Sequence, residues 1–355
     1  MEEDKEEDKD TWSYVVGLAE KLLLIPGLQA MGKDDRDAVR ADLDLVHTFI
    51  AQSRAPRIAI FAPENTPVDR LFEALLGLGY FGNLSIKRHL GKSRWYDFSN
   101  GRGALRLLDA SQTEGDFEGL DATLKALCRE QADAALILCS LEDLENDEFL
   151  DYLDTIAARM SEQYGEAVPT IVVLTTSKTD DDTRYRTEVR NRLRKTAFAR
   201  HNIYVSALYT PDDLLERLVQ HTPAQTRFCL ATVVPSPRAR QELAGELIAA
   251  FTKISAALSA IRLPVADLVP MTALQVGLVI AIARLSGREP TWQTTVGFLA
   301  TLGIQMGAVR ALSRGMHRAV RSMPMLRPFL SAGVSASTTQ LIGNAASAHF
   351  IGARR

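Results

Sequence analysis

Arg57–Gly77 reads RIAIFAPENTPVDRLFEALLG, and the fold follows from how this stretch divides. Arg57–Ala62 is an almost unbroken apolar run of six residues, short enough for a strand and β-branched at Ile58 and Ile60. Pro63 to Pro67 breaks the run. Val68–Gly77 then carries Leu71, Phe72, Leu75 and Leu76 at helical spacing and closes on a glycine, which predicts a helix with one buried face.

Working outward, the same alternation recurs downstream. Strands are expected at Leu84–Lys87, Trp95–Phe98, Ala104–Asp109, Ala134–Cys139, Thr170–Thr175 and Ile203–Ser206. Helices fall between them at about Leu120–Gln131, Asp147–Tyr164 and Arg184–Phe198. Strands alternating with helices at this spacing predict a parallel α/β sheet with helices on both faces. Upstream, a helix over about Asp34–Ser53 places Val39, Leu43, Val46 and Ile50 on one stripe, as a brace packed on the body of the chain.

Pro235-Ser236-Pro237 ends the alternation and marks a linker. Beyond it the chain reads as helices at about Arg238–Ile261, Val265–Leu285, Thr291–Arg321 and Pro328–Ile351. The expected organisation is an acidic tail over 1–10, a helical brace over 11–54, an α/β domain over 55–234 and an apolar helical domain over 238–355.

Charge divides along the same line. Residues 238–355 hold thirteen Lys/Arg against four Asp/Glu, a balance of +9, and the rest holds 28 against 40, a balance of −12. An acidic α/β half repels phosphates, so no nucleic-acid partner is expected there. The acidic start is the opposite of the basic opening of an export signal, so Sec export is not expected. Cys128, Cys139 and Cys229 form no C-x-x-C and read as small buried apolar residues of a reducing compartment. The six histidines show no metal spacing, and the run Glu142–Glu148 lacks the glycine and final glutamate of a Ca²⁺ loop, so it reads as a solvated helix start.

Taken with these elements, Arg57–Gly77 resembles the opening of Era-like or dynamin-like bacterial GTPases. In that family a strand leads into G-x-x-x-x-G-K-[ST], followed by a helix ending in a leucine-rich N-A-L-L-G. The strand, Asn65 and Ala74-Leu75-Leu76-Gly77 match. The two glycine positions hold Ala62 and Pro67, the lysine position Val68, and the Ser/Thr position Asp69. Such a loop works by curling backbone N–H groups around phosphates. Pro67 removes a donor, Val68 the neutralising cation, and Asp69 puts an anion where the Mg²⁺-binding hydroxyl belongs.

The family's D-x-x-G element is matched at Asp109, but Asp109-Ala110-Ser111-Gln112 lacks the glycine that senses the γ-phosphate. Asp109 would serve a metal only if Mg·nucleotide binds, and no other metal ligand is expected. The base-reading end is better kept. Ser177-Lys178-Thr179-Asp180 stands for [NT]-K-x-D, and Ser206-Ala207-Leu208 for the S-A-[KL] loop. The resemblance covers about residues 55–225 and implies a Ras-like P-loop NTPase sheet in an α/β fold. It also implies weak nucleotide contacts through Asn65, Lys178, Asp180, Ser206 and Ala207, no catalytic residue and no resident cofactor.

The C-terminal region contributes no chemistry of its own. Residues 291–309 and Leu268–Ala283 carry no charge, nor do 328–353 apart from a neutral His349, yet they are rich in Gly, Ala, Ser, Thr and Gln. Between the longer runs lie Arg310, Arg314, Arg318, Arg321 and Arg327 without an acid, the pattern that anionic lipid headgroups attract. A solvated arginine face or an oligomer interface accounts for the same residues. Leu263–Asp267, the helix Thr272–Leu285 leading to Gly287-Arg288, and Thr339–Ala348 resemble an uncharacterised hydrophobic domain that follows such G domains in bacterial membrane-associated proteins.

These resemblances imply a membrane-associated pseudo-GTPase acting as an interaction, scaffold or regulatory module. Its expected place is the cytoplasmic face of the bacterial inner membrane, or the cytoplasm, with a protein partner or self-association. The rivals are a GTP-binding protein with a non-standard phosphate loop, acting in membrane remodelling or trafficking, and a soluble oligomeric regulator.

Overall fold

The computed structural model describes residues 33–64, 66, 68–77, 93–99, 103–111, 117–165, 168–175, 182–197, 203–207, 211–260, 268–288, 294–295, 297–302 and 327–352. The expected strand Leu84–Lys87 and most of the expected helix Thr291–Arg321 lie outside them. The chain divides into two units, one of which spans Arg54–Ala239.

That unit is a mixed α/β fold built on a six-stranded sheet. In chain order it runs β1 (Arg57–Phe61), α2 (Asp69–Leu76), β2 (Trp95–Ser99), β3 (Ala104–Asp109), α3 (Phe117–Arg129), β4 (Ala134–Cys139) and α4 (Asp147–Tyr164). It continues through β5 (Thr170–Leu174), α5 (Asp182–Leu193), β6 (Ile203–Ala207), α6 (Pro211–His221) and α7 (Ala224–Val233). Helix α1 (Lys33–Ile50) precedes these elements in the chain and belongs to the other unit. Across the sheet the order is β2-β3-β1-β4-β5-β6, an arrangement consistent with a GTPase-like α/β fold.

Five strands are parallel, as expected, but β2 runs antiparallel to β3. The physical reason is the connection. Residues 100–103 are too few for a crossover, so the two strands can only form a hairpin.

The central strands are apolar runs because both of their faces are covered. Every residue of β4 and of β5 is buried, and so are Ile58 to Phe61 of β1. Ala59, Phe61, Ile137 and Val172 point to one face, where Leu127 of α3, Phe149, Leu153 and Ile156 of α4, and Val189 and Leu193 of α5 close over them. The alternate residues Ile58, Ile60, Leu136 and Val173 are equally buried, on the face that carries α2, α6 and α7. At about 1.5–3 kcal/mol for each large apolar side chain fully removed from water, these two layers dominate the stability of the unit.

Helix ends follow local chemistry. Asn146 caps α4 by accepting from the Glu148 and Phe149 amides, and Gly165 ends it in the left-handed region at φ +64°. Helix α2 stops at Gly77, whose φ of +90° a side chain would resist. Helices α6 and α7 are not among the elements expected from the sequence. Helix α6 nonetheless carries a legible signal in Leu214, Leu215, Leu218 and Val219, all buried at helical spacing.

The other unit is described through four helices: α1, α8 (Pro237–Ala260), α9 (Leu268–Leu285) and α10 (Arg327–Phe350). Helix α1 buries Val39, Leu43, Val46 and Ile50, the predicted stripe, and Asp42 pairs with Lys253 at 3.1 Å. Helix α9 is buried at six consecutive positions, Leu278 to Ala283, so it is enclosed on every side by protein. Gly343 of α10 lies against Ile248 of α8 and Leu278 of α9. Among the described residues, no helix is long and apolar enough to cross a membrane.

Candidate functional site at the carboxyl edge of the sheet

All five parallel strands end on one edge, where ligands of open α/β sheets bind. There β1 and β3 are neighbours, with Ile60 beside Asp109, and β5 and β6 are neighbours, with Leu174 beside Ala207. The ends of β1 and β6 are three strand spacings apart, roughly 14 Å. Two of the places that the resemblance singled out therefore lie on this one edge.

The loop after β1 is closed on itself. The Thr66 amide donates to the Pro63 carbonyl at 3.3 Å and the Val68 amide to the Thr66 carbonyl at 2.8 Å. Pro63 and Pro67 have no amide hydrogen at all. Of the seven residues Ala62 to Val68, two therefore lack a donor and two more have committed theirs within the loop. Pro63 adds to the loss expected from Pro67 alone. Ala62, at the first glycine position, is fully buried. Val68 precedes α2 in a helical conformation without a side-chain cap, and Asp69 begins the helix. Asn65 lies outside the described residues, as do Lys178 and Asp180.

Asp109 is buried at the end of β3 and its carboxylate is engaged locally. Its Oδ1 accepts from the Ser111 amide at 3.1 Å and from the Ser111 hydroxyl at 2.7 Å. Ser111 thus fills an unspecified position of the D-x-x-G pattern and binds the aspartate itself, a role the sequence does not signal.

At the base end, the Ser206 hydroxyl donates to Asp213 Oδ2 at 2.9 Å, and Arg217 Nε contacts both oxygens of that carboxylate at 2.9 and 3.0 Å. Asp213, Arg217 and His221 recur every fourth residue along α6, and Asp213 and His221 meet Ser206 and Tyr204, alternate residues of β6. His221 stacks on Tyr204 with ring centroids 3.5 Å apart and planes 12° from parallel. Burial, then the nearby Arg217 and Arg227, pull the His221 pKa below its ordinary value. Ala207 ends β6, with its backbone in register with Leu174.

The remaining sequence candidates separate from this edge. Arg310, Arg314, Arg318 and Arg321 lie outside the described residues, and Arg327 is the first residue of α10. Cys128 is exposed rather than buried, Cys229 is half-buried, and only Cys139 matches the expected burial. Burial, reinforced by Asp143, pushes the Cys139 thiol pKa up, so it is inert as a nucleophile. Among the described residues, no cluster of His, Cys, Asp or Glu has the makings of a metal site.

No family model matches the chain, and no curated protein matches it. Solved structures do. Two mutation variants of SsGBP, in which one glycine is replaced by proline or by serine, are each 17% identical. Their TM-scores are 0.31 and 0.30, and each match covers 56% of this chain and 66% of the other. LeoA, a bacterial dynamin GTPase from ETEC, is 12% identical with a TM-score of 0.33, and the match covers 97% of this chain and 68% of LeoA. The chain thus spans about two thirds of the length of the structures it is similar to. At TM-scores this low the fold rests on the strand order, and activity is a separate question.

Proposed function

We propose that the chain is a GTPase-like module that has given up phosphate binding and acts as an interaction or regulatory scaffold. The observation that carries this reading is the loop after β1. A phosphate cradle needs converging amide donors, and Thr66 and Val68 have turned theirs inward while Pro63 and Pro67 have none. Asp109 supports it as well, since its Oδ1 already accepts from both the amide and the hydroxyl of Ser111. The residues present after β1 do not fit Mg·GTP.

The test is titration calorimetry of the whole chain with GDP and with Mg·GTP. The scaffold reading expects no binding heat for either at micromolar protein. Micromolar affinity for Mg·GTP would overturn it and favour a GTPase with a non-standard phosphate loop.

Membrane contact is proposed as peripheral. It rests on the sequence, through Arg310, Arg314, Arg318, Arg321 and Arg327, since basic residues beside apolar helices are drawn to anionic headgroups at about 1 kcal/mol each. Flotation with anionic vesicles should carry the chain upward and neutral vesicles should not. Loss of flotation in a variant with these five arginines changed to glutamine assigns the contact to them.

A further inference from the structure

The backbone leaving β3 is tied down by groups that no nucleotide supplies. The Tyr152 hydroxyl, from α4, donates to the Ala110 carbonyl at 2.5 Å. Thr123, from α3, places its hydroxyl 2.7 Å from Ser93 Oγ. Ser93 Oγ also reaches the Gly119 carbonyl at 3.1 Å, while the Ser93 amide donates to the Asp109 carbonyl at 2.8 Å. Tyr152 thus pins the Ala110 carbonyl from α4, and Ser93, itself held to α3 through Thr123 and Gly119, pins the Asp109 carbonyl next to it.

The second of these two pins is a residue in an uncommon conformation. Ser93 holds φ at +66°, in the left-handed region that non-glycine residues avoid, and such a residue persists where its surroundings over-determine it. Ala110 is also fixed from the sheet side, its amide donating to the Ile60 carbonyl at 2.8 Å. Both backbone groups of Ala110 are thereby engaged. Burial keeps the Tyr152 phenol protonated, so it remains a donor.

We infer that Tyr152 and the Thr123-anchored Ser93 form a latch that holds the backbone of Asp109 and Ala110, at the end of β3, in one conformation. This inference rests on the scaffold reading of the same edge, because a segment that answered to nucleotide would have to leave this arrangement. A latch of this kind gives a binding partner one constant surface.

Hydrogen–deuterium exchange on the full chain tests it, comparing wild type with Tyr152→Phe, which keeps the ring and removes only the hydroxyl. The expected result is about tenfold faster exchange at the amides of residues 110 and 111, with β4 and β5 unchanged; tenfold corresponds to about 1.4 kcal/mol of local opening. Thr123→Val should act in the same direction and Thr123→Ser should not, which supplies a conservative control should Tyr152→Phe fold poorly. Unchanged exchange at residues 110 and 111 in both Tyr152→Phe and Thr123→Val overturns the latch. Faster exchange spread evenly over the sheet also overturns it, since it would make Tyr152 a packing residue alone. Mg·GTP binding by the wild type is a separate outcome and strikes the scaffold reading, whatever the exchange pattern.

Discussion

Arg54 and Asp133, 79 residues apart in the chain, meet in a two-pronged ion pair, Nη1 to Oδ2 at 2.8 Å and Nη2 to Oδ1 at 2.5 Å. Asp133 Oδ2 also accepts the Arg57 amide at 2.8 Å, and the Asp133 amide returns a bond to the Arg57 carbonyl at 2.7 Å. The pair extends the β1–β4 ladder by one rung beyond its strands. Asp133 is only 5% exposed, so removing it strands both a guanidinium and a backbone donor. Asp133→Ala should cost about 2–4 kcal/mol in urea unfolding. Arg54→Ala should cost less, because Asp133 keeps its backbone partner. Equal losses for the two would show that the rung matters less than the ion pair.

Gly343 and Gly333 sit on the same helix and should respond oppositely to alanine. A Cβ at Gly343 would lie 2.7 Å from Ile248 Cγ1 and 3.1 Å from Leu278 Cδ2, whereas nothing lies within 4 Å of one at Gly333. Gly343→Ala should lower stability by about 1–3 kcal/mol through overpacking. Gly333→Ala should raise it by about 0.5–1 kcal/mol through helix propensity. Thermal melts of the two variants decide the matter, and two stabilising results would mean that α10 does not pack closely at Gly343.

His221 gives a pH dependence whose sign is fixed by its environment. Its folded pKa lies below the unfolded value of about 6.5, so on acidification the unfolded chain takes up the proton first. Its contribution is therefore complete above about pH 6.5 and is lost as pH falls from there through the folded pKa. His221→Phe keeps a ring against Tyr204 and removes the proton site. The drop in urea midpoint between about pH 7.5 and about pH 5 should be smaller in His221→Phe than in wild type. An identical drop would assign the acid sensitivity elsewhere.

Supplying the lysine and the hydroxyl of the phosphate-loop pattern should not create a nucleotide site. Val68→Lys with Asp69→Ser supplies the missing cation and hydroxyl, but leaves Pro63, Pro67 and the inward-turned amides of Thr66 and Val68 in place. Calorimetry with Mg·GTP should therefore still show no micromolar site. Tight binding by this double variant would mean that the side chains, rather than the backbone of the loop, had been limiting.

Much of the architecture is legible in the sequence, because a strand covered on both faces must be apolar throughout. Ile58–Phe61, Ala134–Cys139 and Thr170–Leu174 carry that signature, and helix α4 is bounded by Asn146 and Gly165, whose types suit its two ends. The stripe of α1 is equally readable from its period. The sequence also determined the chemistry missing after β1, since a proline lacks its donor and a valine its charge wherever they sit.

Tertiary structure decided the rest. The direction of β2 depended on a short connection and a pairing partner, and its own residues do not encode which way it runs. The enclosure of α9 is invisible in sequence because an apolar run reads alike whether lipid or protein covers it; contact with α8 and α10 settled its surroundings. The partners of Asp109, Ser206 and Ala110 were likewise beyond the sequence. A hydroxyl or carboxylate bonds whatever the fold brings within about 3 Å, and Tyr152 stands 42 residues from the carbonyl it holds.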